Sequence, residues 1–211
     1  TQNDSFKSVS KYFDRITRPE QILSSLPQAI QTMLDPADCG PATISMSQDV
    51  QGETFDYPEI FFEEKVNEIR RIHPDPNQIK LAADKIKNSK QPIIISGGGV
   101  LYSEAEAELS AFAKKHNIPV TATVMGIGCM KYDDPYYISA IGCLGEGSSN
   151  SLSKDTDLAI AIGTKLADFT TGSWTNFQNP NFGLVSINTS RFDTTKHRAT
   201  PVVSDAKVGL T

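Results

Sequence analysis

The stretch Pro92-Ile-Ile-Ile-Ser96, followed at once by Gly97-Gly-Gly99, decides the fold. An uninterrupted apolar run of this kind is typical of a strand that is buried on both faces, as in a parallel sheet covered by helices. A helical pattern over residues 104–116 comes next, and the apolar run Ile118-Pro-Val-Thr-Ala-Thr-Val124 follows it. Together these segments predict a strand–helix–strand unit whose two strands are parallel.

The same alternation extends over residues 77–211. Ser103 and Glu106 have the spacing of a capping box, and Leu109, Phe112 and Ala113 form the face that packs on the sheet. The remaining predicted elements are a helix over 78–88, a short helix ending at Leu152, and strands over 157–162, 183–188 and 201–204. We therefore expect a three-layer, doubly wound parallel α/β domain.

Residues 8–50 predict a separate strand, helix and strand. The helix spans Ile16 to Leu34, with Thr17 and Glu20 as a capping box and Pro27 as a point where it should kink or restart. The strand over 42–46 completes a sheet whose edge should stay unpaired. Residues 51–76 are expected to form an ordered linker that its aromatic side chains pin to a surface.

Composition excludes several classes of function. The net charge of −5 and the pI near 5.2 argue against binding to nucleic acid, which depends on clustered Lys and Arg. No apolar run is long enough to span a bilayer, so a cytoplasmic protein without membrane contact is expected. The three cysteines, Cys39, Cys129 and Cys143, lack metal-ligand spacing and are interpreted as small buried apolar residues.

Glycine loops supply the candidate chemistry. Gly97-Gly-Gly99 precedes a helix, whose free N–H groups suit a phosphate, but Tyr102 stands where the dinucleotide fingerprint requires a third glycine. The histidines His73, His116 and His197 are interpreted as structural. Gly145-Glu-Gly147 with the downstream Asn176 is rejected as a magnesium motif, because Glu replaces Asp and no apolar strand precedes it.

The chain resembles thiamine-diphosphate enzymes of the acetolactate synthase superfamily. Gly40-Pro-Ala-Thr-Ile-Ser-Met46 resembles the end of their pyrimidine-binding domain, while Pro92–Gly99 and Ala161-Ile-Gly-Thr164 resemble their central Rossmann-like domain. The segments Asp168–Trp174 and Arg191–Arg198 resemble the branch that opens a cyclic 1,2-diketone, trihydroxycyclohexanedione, in myo-inositol breakdown. The resemblance implies that residues 1–50 are a piece of the pyrimidine-binding domain, that residues 51–76 are a linker and that residues 77–211 are the central domain.

The resemblance also implies what the chain binds. The parent enzyme is expected to use thiamine diphosphate and Mg²⁺, to act as a homo-oligomer on a cyclic polyol diketone, and to place its catalytic and metal residues in its other domains. This chain alone is then expected to be inactive. In some relatives the central domain holds FAD or ADP, and the matching positions are Gly98, Gly99, Met125, Gly126, Gly163, Lys165 and Asp205.

Asn188 departs from this pattern, because an acid usually follows the corresponding strand and binds the ribose hydroxyls. A structural domain with a vestigial cleft is therefore favoured. Two alternatives stay open at this point: a carboligase of the acetolactate synthase type whose central domain binds FAD or ADP, and a free-standing nucleotide-binding module.

Overall fold

The computed structural model describes residues 2–211 and divides the chain into two compact units. The first unit ends at Arg70 and the second spans Arg71–Thr211. This division falls inside the segment 51–76 that the sequence predicts as a linker. The predicted domain bounds remain a hypothesis about the parent protein.

The first unit is built on two parallel strands. Strand β1 pairs with β2 in register from Tyr12 with Ala42 to Ile16 with Met46, and helix α2 packs on both strands. Within the described residues these strands form a sheet of their own, consistent with the expected strand, helix and strand. In chain order, the elements are α1 Gln2–Lys7, β1 Tyr12–Ile16, a 3₁₀ turn Pro19–Gln21, α2 Ile22–Leu34, β2 Ala42–Met46, α3 Gln48–Gln51 and a 3₁₀ turn Glu59–Phe62.

The predicted capping box at the start of α2 is wrong in detail. The side chain of Gln21, rather than that of Glu20, closes the capping box, and it accepts hydrogen bonds from the backbone amides of Thr17 at 2.7 Å and Arg18 at 2.9 Å. The helix also continues through Pro27 without restarting. Because Pro27 lies on the exposed face, the carbonyl left without its N–H partner can bond water instead.

Aromatic side chains of the predicted linker form a cluster within the first unit. Tyr57 lies 5.0 Å from Phe55 and 6.1 Å from both Phe61 and Phe62, measured between ring centroids. The Tyr57 hydroxyl also donates to the carbonyl of Pro19. These contacts agree with an ordered segment that carries its own anchors.

The second unit contains six parallel strands with helices around them. Its helices and strands in chain order are α4 Pro76–Asn88, β3 Pro92–Ser96, α5 Gly98–Tyr102, α6 Glu106–His116, β4 Val120–Ala122, β5 Tyr137–Ala140, α7 Gly147–Asp155, β6 Leu158–Ile162, α8 Asp168–Thr171, β7 Gly183–Asn188, α9 Arg191–Thr194, β8 Thr200–Val203 and α10 Ala206–Leu210. No helix among the described residues is long and apolar enough to cross a membrane.

The order of the strands in this sheet is β5-β4-β3-β6-β7-β8. Counted within the unit, this is 3-2-1-4-5-6, the order of dinucleotide-binding folds. The central strands are buried throughout, and two apolar clusters, one holding Ile94 and Ile160 and the other Ile93 and Ile95, pack around them. The expected doubly wound parallel fold is confirmed.

Several boundaries differ from the sequence prediction. Ala105, rather than Ser103, occupies the N-cap of α6, and Ser103 instead ends the short helix α5. Helix α7 continues to Asp155, three residues beyond Leu152. The edge strand β5 was not predicted at all, because its four half-buried residues carry no apolar run.

Candidate functional site

A cleft lies at the carboxyl ends of β3 and β6. The chain runs from β3 to β4 on one side and returns to β6 on the other, so this is the point where the strand order reverses and where ligands of open α/β sheets dock. The cleft has a volume of about 330 Å³ and a mostly apolar lining. The residues that line it are Gly98, Gly99, Tyr102, Thr123, Val124, Met125, Ile141, Leu144, Gly163, Thr164, Lys165, Ala167, Phe169 and Thr170.

Two glycines bring the loops after β3 and β6 into backbone contact. The amide of Gly99 donates to the carbonyl of Gly163 at 2.9 Å, and a Cβ on Gly99 would lie 2.5 Å from the Gly163 Cα. Gly163 itself has a φ of +60°, in the left-handed region. These glycines are therefore required for packing, and the Gly99 amide is not free for a phosphate.

The remaining glycines of the predicted site also serve close packing. A Cβ on Gly98 would lie 3.2 Å from the carbonyl oxygen of Met125, and one on Gly126 would lie 2.2 Å from that of Ser96. Gly126 adjoins the cleft without lining it. Helix α5 has only five residues, so its contribution to anion binding is small.

Lys165 is the one charged side chain among the described residues that line the cleft. Around it the rim is apolar and exposed, with Met125 at 66%, Leu144 at 69% and Phe169 at 66% exposure. A nucleotide diphosphate would thus meet one ammonium group and a largely apolar surface.

Asn188 stands at the end of β7, where a carboxylate would bind ribose. Its side-chain amide donates to the Thr164 carbonyl at 3.2 Å, and its side-chain oxygen accepts from the Ser190 amide at 2.9 Å. Asn188 therefore joins the loops after β6 and β7. One donor and one acceptor bond of its side-chain amide are thus made within the chain.

Asp205 does not line the cleft. Its carboxylate caps α10 by accepting from the amides of Lys207 at 3.0 Å and Val208 at 3.4 Å, and it forms an ion pair with Arg71 at 3.0 Å. Arg71 also donates to the Ser103 carbonyl at 2.7 Å. This arrangement gives Asp205 a structural role in holding α10 and residue 71 together.

Part of the cleft comes from segments that sequence reasoning did not assign to it. Ile141 and Leu144 lie in the loop after β5, and Phe169 and Thr170 lie in α8. The loop is fixed by Asn150, whose side chain accepts from the Gly142 amide at 2.9 Å and donates to the Gly142 carbonyl at 3.0 Å. The glycine-rich sequence 142–147 was the available signal that this loop could line a cleft. The contact of the loop with α7 could not be inferred from the sequence.

The cysteines differ in burial. Cys129 is fully buried, and burial raises the pKa of its thiol, although the Ser96 hydroxyl opposes this effect. Cys39 and Cys143 are exposed, so the expectation that all three are buried is wrong for these two. Both lie outside the helices and strands, where the apolar character of a cysteine does not determine its burial.

The described residues hold no cluster of acidic, histidine and cysteine side chains of the kind that binds a metal. No group of three or more His, Cys, Asp or Glu side chains lies close enough together within residues 2–211 to hold a metal. Glu146 precedes α7 with an exposed side chain, while Asn176 is buried and donates to Asn150 at 3.3 Å. We therefore derive no chemical step through a metal in this chain.

Comparison with known protein families agrees with this geometry. The family described as "Thiamine pyrophosphate enzyme, central domain" matches residues 79–211, which hold the six-stranded sheet and the cleft. The chain belongs to this family.

Curated relatives resemble nearly the whole chain. A protein of Clostridium tetani is 45% identical over 210 residues, which are 100% of this chain and 33% of that protein. One from Bacillus cereus is 43% identical over 208 residues, or 99% of this chain and 32% of that protein. Both are named 3D-(3,5/4)-trihydroxycyclohexane-1,2-dione hydrolase, the latter with the numeral 1. The chain spans about a third of the length of the curated relatives that it matches.

Solved structures show the same fold. Benzoylformate decarboxylase from Polynucleobacter necessarius aligns with a TM-score of 0.77 at 25% identity, covering 95% of this chain and 37% of that one. A putative thiamin diphosphate-dependent enzyme from Mycobacterium smegmatis aligns with a TM-score of 0.74 at 20% identity, covering 95% and 38%. The second likeness concerns the fold alone.

Proposed function

We propose that this chain is the central domain, with part of the preceding domain, of a thiamine-diphosphate- and Mg²⁺-dependent hydrolase. Its substrate would be trihydroxycyclohexane-1,2-dione, and the reaction would open the ring by cleaving a carbon–carbon bond in myo-inositol breakdown. The observation that carries this proposal is the 45% identity over 210 residues to a protein of that name. The parent would be a cytoplasmic homo-oligomer.

The chain's own share in this activity is structural. Its glycine loops pack against each other, and Asn188 joins two loops at the end of the sheet. The cofactor, the metal and the residues that activate them would come from the remaining domains of the same polypeptide. Thiamine diphosphate supplies the electron sink for cleavage next to a carbonyl.

The substrate proposal is tested on the polypeptide that carries this chain together with its other domains. Incubated with thiamine diphosphate and Mg²⁺, it should consume the cyclic dione and should not condense pyruvate to acetolactate. Loss of the dione is followed by its absorbance, and acetolactate by its conversion to acetoin. Acetolactate formation with no loss of the dione would favour the carboligase alternative.

Thiamine diphosphate should not bind to this chain alone in an Mg²⁺-dependent manner. The reason is that the described residues lack a group of carboxylate ligands for the metal. Titration calorimetry with and without Mg²⁺ measures this affinity, and turnover of the dione measures activity. Turnover that disappears on chelation would contradict the proposal, and Glu146 and Asn176 would then be the first residues to mutate.

We also propose that the cleft binds ADP or FAD weakly or not at all. Three features support this: the Gly99 amide is already bonded, Asn188 replaces the expected acid, and Lys165 is the single charged residue among the described residues that line the cleft. Titration of the chain with ADP and FAD should give no heat at low micromolar concentrations. A dissociation constant near 1 μM, equivalent to about 8 kcal/mol, would show a working nucleotide site and would contradict this proposal.

A further inference from the structure

A second cavity lies at the opposite edge of the six-stranded sheet from the cleft. It opens at the amino ends of β3 and β4, between the carboxyl ends of α4 and α6, and has a volume of about 500 Å³. Ligands of this fold dock at the carboxyl ends of the strands. The cavity is therefore a different site from the cleft described above.

The floor of this cavity is apolar. Ile118, with 2% exposure, is part of the main core, and the partly buried Ile86 and Phe112 pack against the same core. These side chains are held in place by the sheet and both helices. They offer a fixed apolar surface to the flat or alicyclic body of a ligand.

The rim of the cavity is basic. Lys87 and Lys90 line it with exposed side chains, and neither forms a salt bridge within the described residues. The nearby Asp157 carboxylate accepts hydrogen bonds from the Ser89 hydroxyl and from the Lys90 and Gln91 amides, at 2.7 Å and 3.0 Å for the amides. Both ammonium groups thus remain available to an anion.

The carboxyl ends of α4 and α6 are capped at this rim. The Ser89 amide caps the last turn of α4 by donating to the carbonyls of Lys85 and Ile86. Asn117, in the left-handed conformation, ends α6 and donates to the carbonyl of Ala113 or Lys114. Carbonyls that are already bonded repel an anion less than free ones would.

An aromatic pair stands beside the two lysines. The His116 ring lies 4.6 Å from the Phe112 ring, and both side chains line the cavity. An apolar floor, an aromatic wall and two unpaired ammonium groups together match a ligand with a cyclic body and one anionic group.

We propose that this cavity is a binding site for small aromatic or alicyclic carboxylates, with the ring on Ile86, Phe112 and Ile118 and the carboxylate between Lys87 and Lys90. The site is independent of the activity proposed for the parent enzyme. It uses none of the residues that line the cleft.

The test is amide NMR of the chain titrated with 2-naphthoate. The amide signals of Ile86, Phe112 and Ile118 should shift together and give one dissociation constant. The double variant Lys87→Gln/Lys90→Gln should raise that constant at least about fivefold, since two partly exposed ion pairs are lost. The matched control Lys165→Gln, in the cleft, should leave it within about twofold.

A neutral probe separates charge recognition from simple apolar binding. 2-Naphthamide has the same ring system without the charge and should bind the unchanged chain at least about fivefold more weakly than the carboxylate. The proposal would be overturned if 2-naphthamide bound as tightly as 2-naphthoate, or if the double variant kept the dissociation constant of the unchanged chain. It would also be overturned if the amide signals shifted only in the cleft, or did not shift at millimolar concentrations of the probe. The spectra themselves show whether each variant is folded.

Discussion

Gly163 illustrates how much of this domain depends on single backbone positions. Its φ is +60°, and a Cβ added to it would lie 2.6 Å from the Gly99 Cα, so there is no room for a side chain. Gly163→Ala should lower the free energy of unfolding by about 2 to 4 kcal/mol, from left-handed strain and displacement of the neighbouring loop. Urea unfolding measures this change.

The matched control for that substitution is Gly147→Ala at the start of α7. Nothing lies within 4 Å of the position that a Cβ would take there. Its stability should stay within about 0.5 kcal/mol of the unchanged chain. If Gly163→Ala were equally mild, the close approach of the loops after β3 and β6 would be refuted as a packing requirement.

Asp157 is the second residue with a specific prediction. Burial raises the pKa of its carboxyl, but hydrogen bonds from the Ser89 hydroxyl and the Lys90 and Gln91 amides outweigh burial and lower that pKa below its usual value. Asp157→Asn should cost about 1 kcal/mol of stability at pH 7, a modest value because the group is largely solvated.

The sign of the pH dependence follows from the lowered pKa. The stabilisation by Asp157 is fully present above the unfolded-state pKa of about 4 and is lost as the pH falls through the lower folded-state pKa. The stability difference between the two proteins should therefore shrink at acid pH in urea titrations. Asp155→Asn, which removes the same charge from an exposed neighbour at the end of α7, is the control for a general charge effect at pH 7. If the stability difference between the unchanged chain and Asp157→Asn grew below pH 4, the lowered pKa of Asp157 would be contradicted.

At the scale of elements, the two-stranded sheet of the first unit is the part of the chain most prone to pair with another molecule. Parallel strands β1 and β2 pair only with each other among the described residues, so each has an unpaired edge. Open edges recruit other strands. Sedimentation velocity should show association that increases with protein concentration between about 10 μM and 1 mM. A monomer throughout that range would show that both edges are protected.

The central strands could be predicted from sequence because their burial dictates their composition. The runs that form β3, β6 and β7 are rich in Ile, Leu, Val and Ala, and their observed bounds agree with the predicted ones within one residue. The edge strand β5 was missed, since half-buried residues such as Ser139 carry no such pattern. Short helices of four or five residues were missed as well, because so few residues cannot establish a period.

For the cleft too, some features could be predicted from the sequence and others could not. Gly98, Gly99 and Gly163 were named together because the family resemblance implies them as matching positions, and all three line the cleft. The ion pair of Asp205 could not be predicted from the sequence, because its partner Arg71 is 134 positions away along the chain. The bond between Asn150 and Gly142 likewise depends on how α7 folds back on the loop after β5.

At the scale of the whole molecule, the proposal is that the chain is one part of a longer architecture. Its relatives are about three times as long, and the cleft rim carries exposed apolar side chains such as Met125 and Phe169. A central domain that supports other domains accounts for both observations. This role also explains how a sheet with the strand order of nucleotide-binding folds can lack the expected ribose acid.

The most direct test of this account is a chimera. The matching third of the Clostridium tetani hydrolase is replaced by this chain, and ring opening of the cyclic dione is measured with thiamine diphosphate and Mg²⁺. A chimera carrying the corresponding segment of an acetolactate synthase is the control. The account predicts kcat/KM within about tenfold of the unmodified hydrolase for the first chimera, equivalent to about 1.4 kcal/mol, and a much larger loss for the control. A folded first chimera that is as inactive as the control would contradict the account.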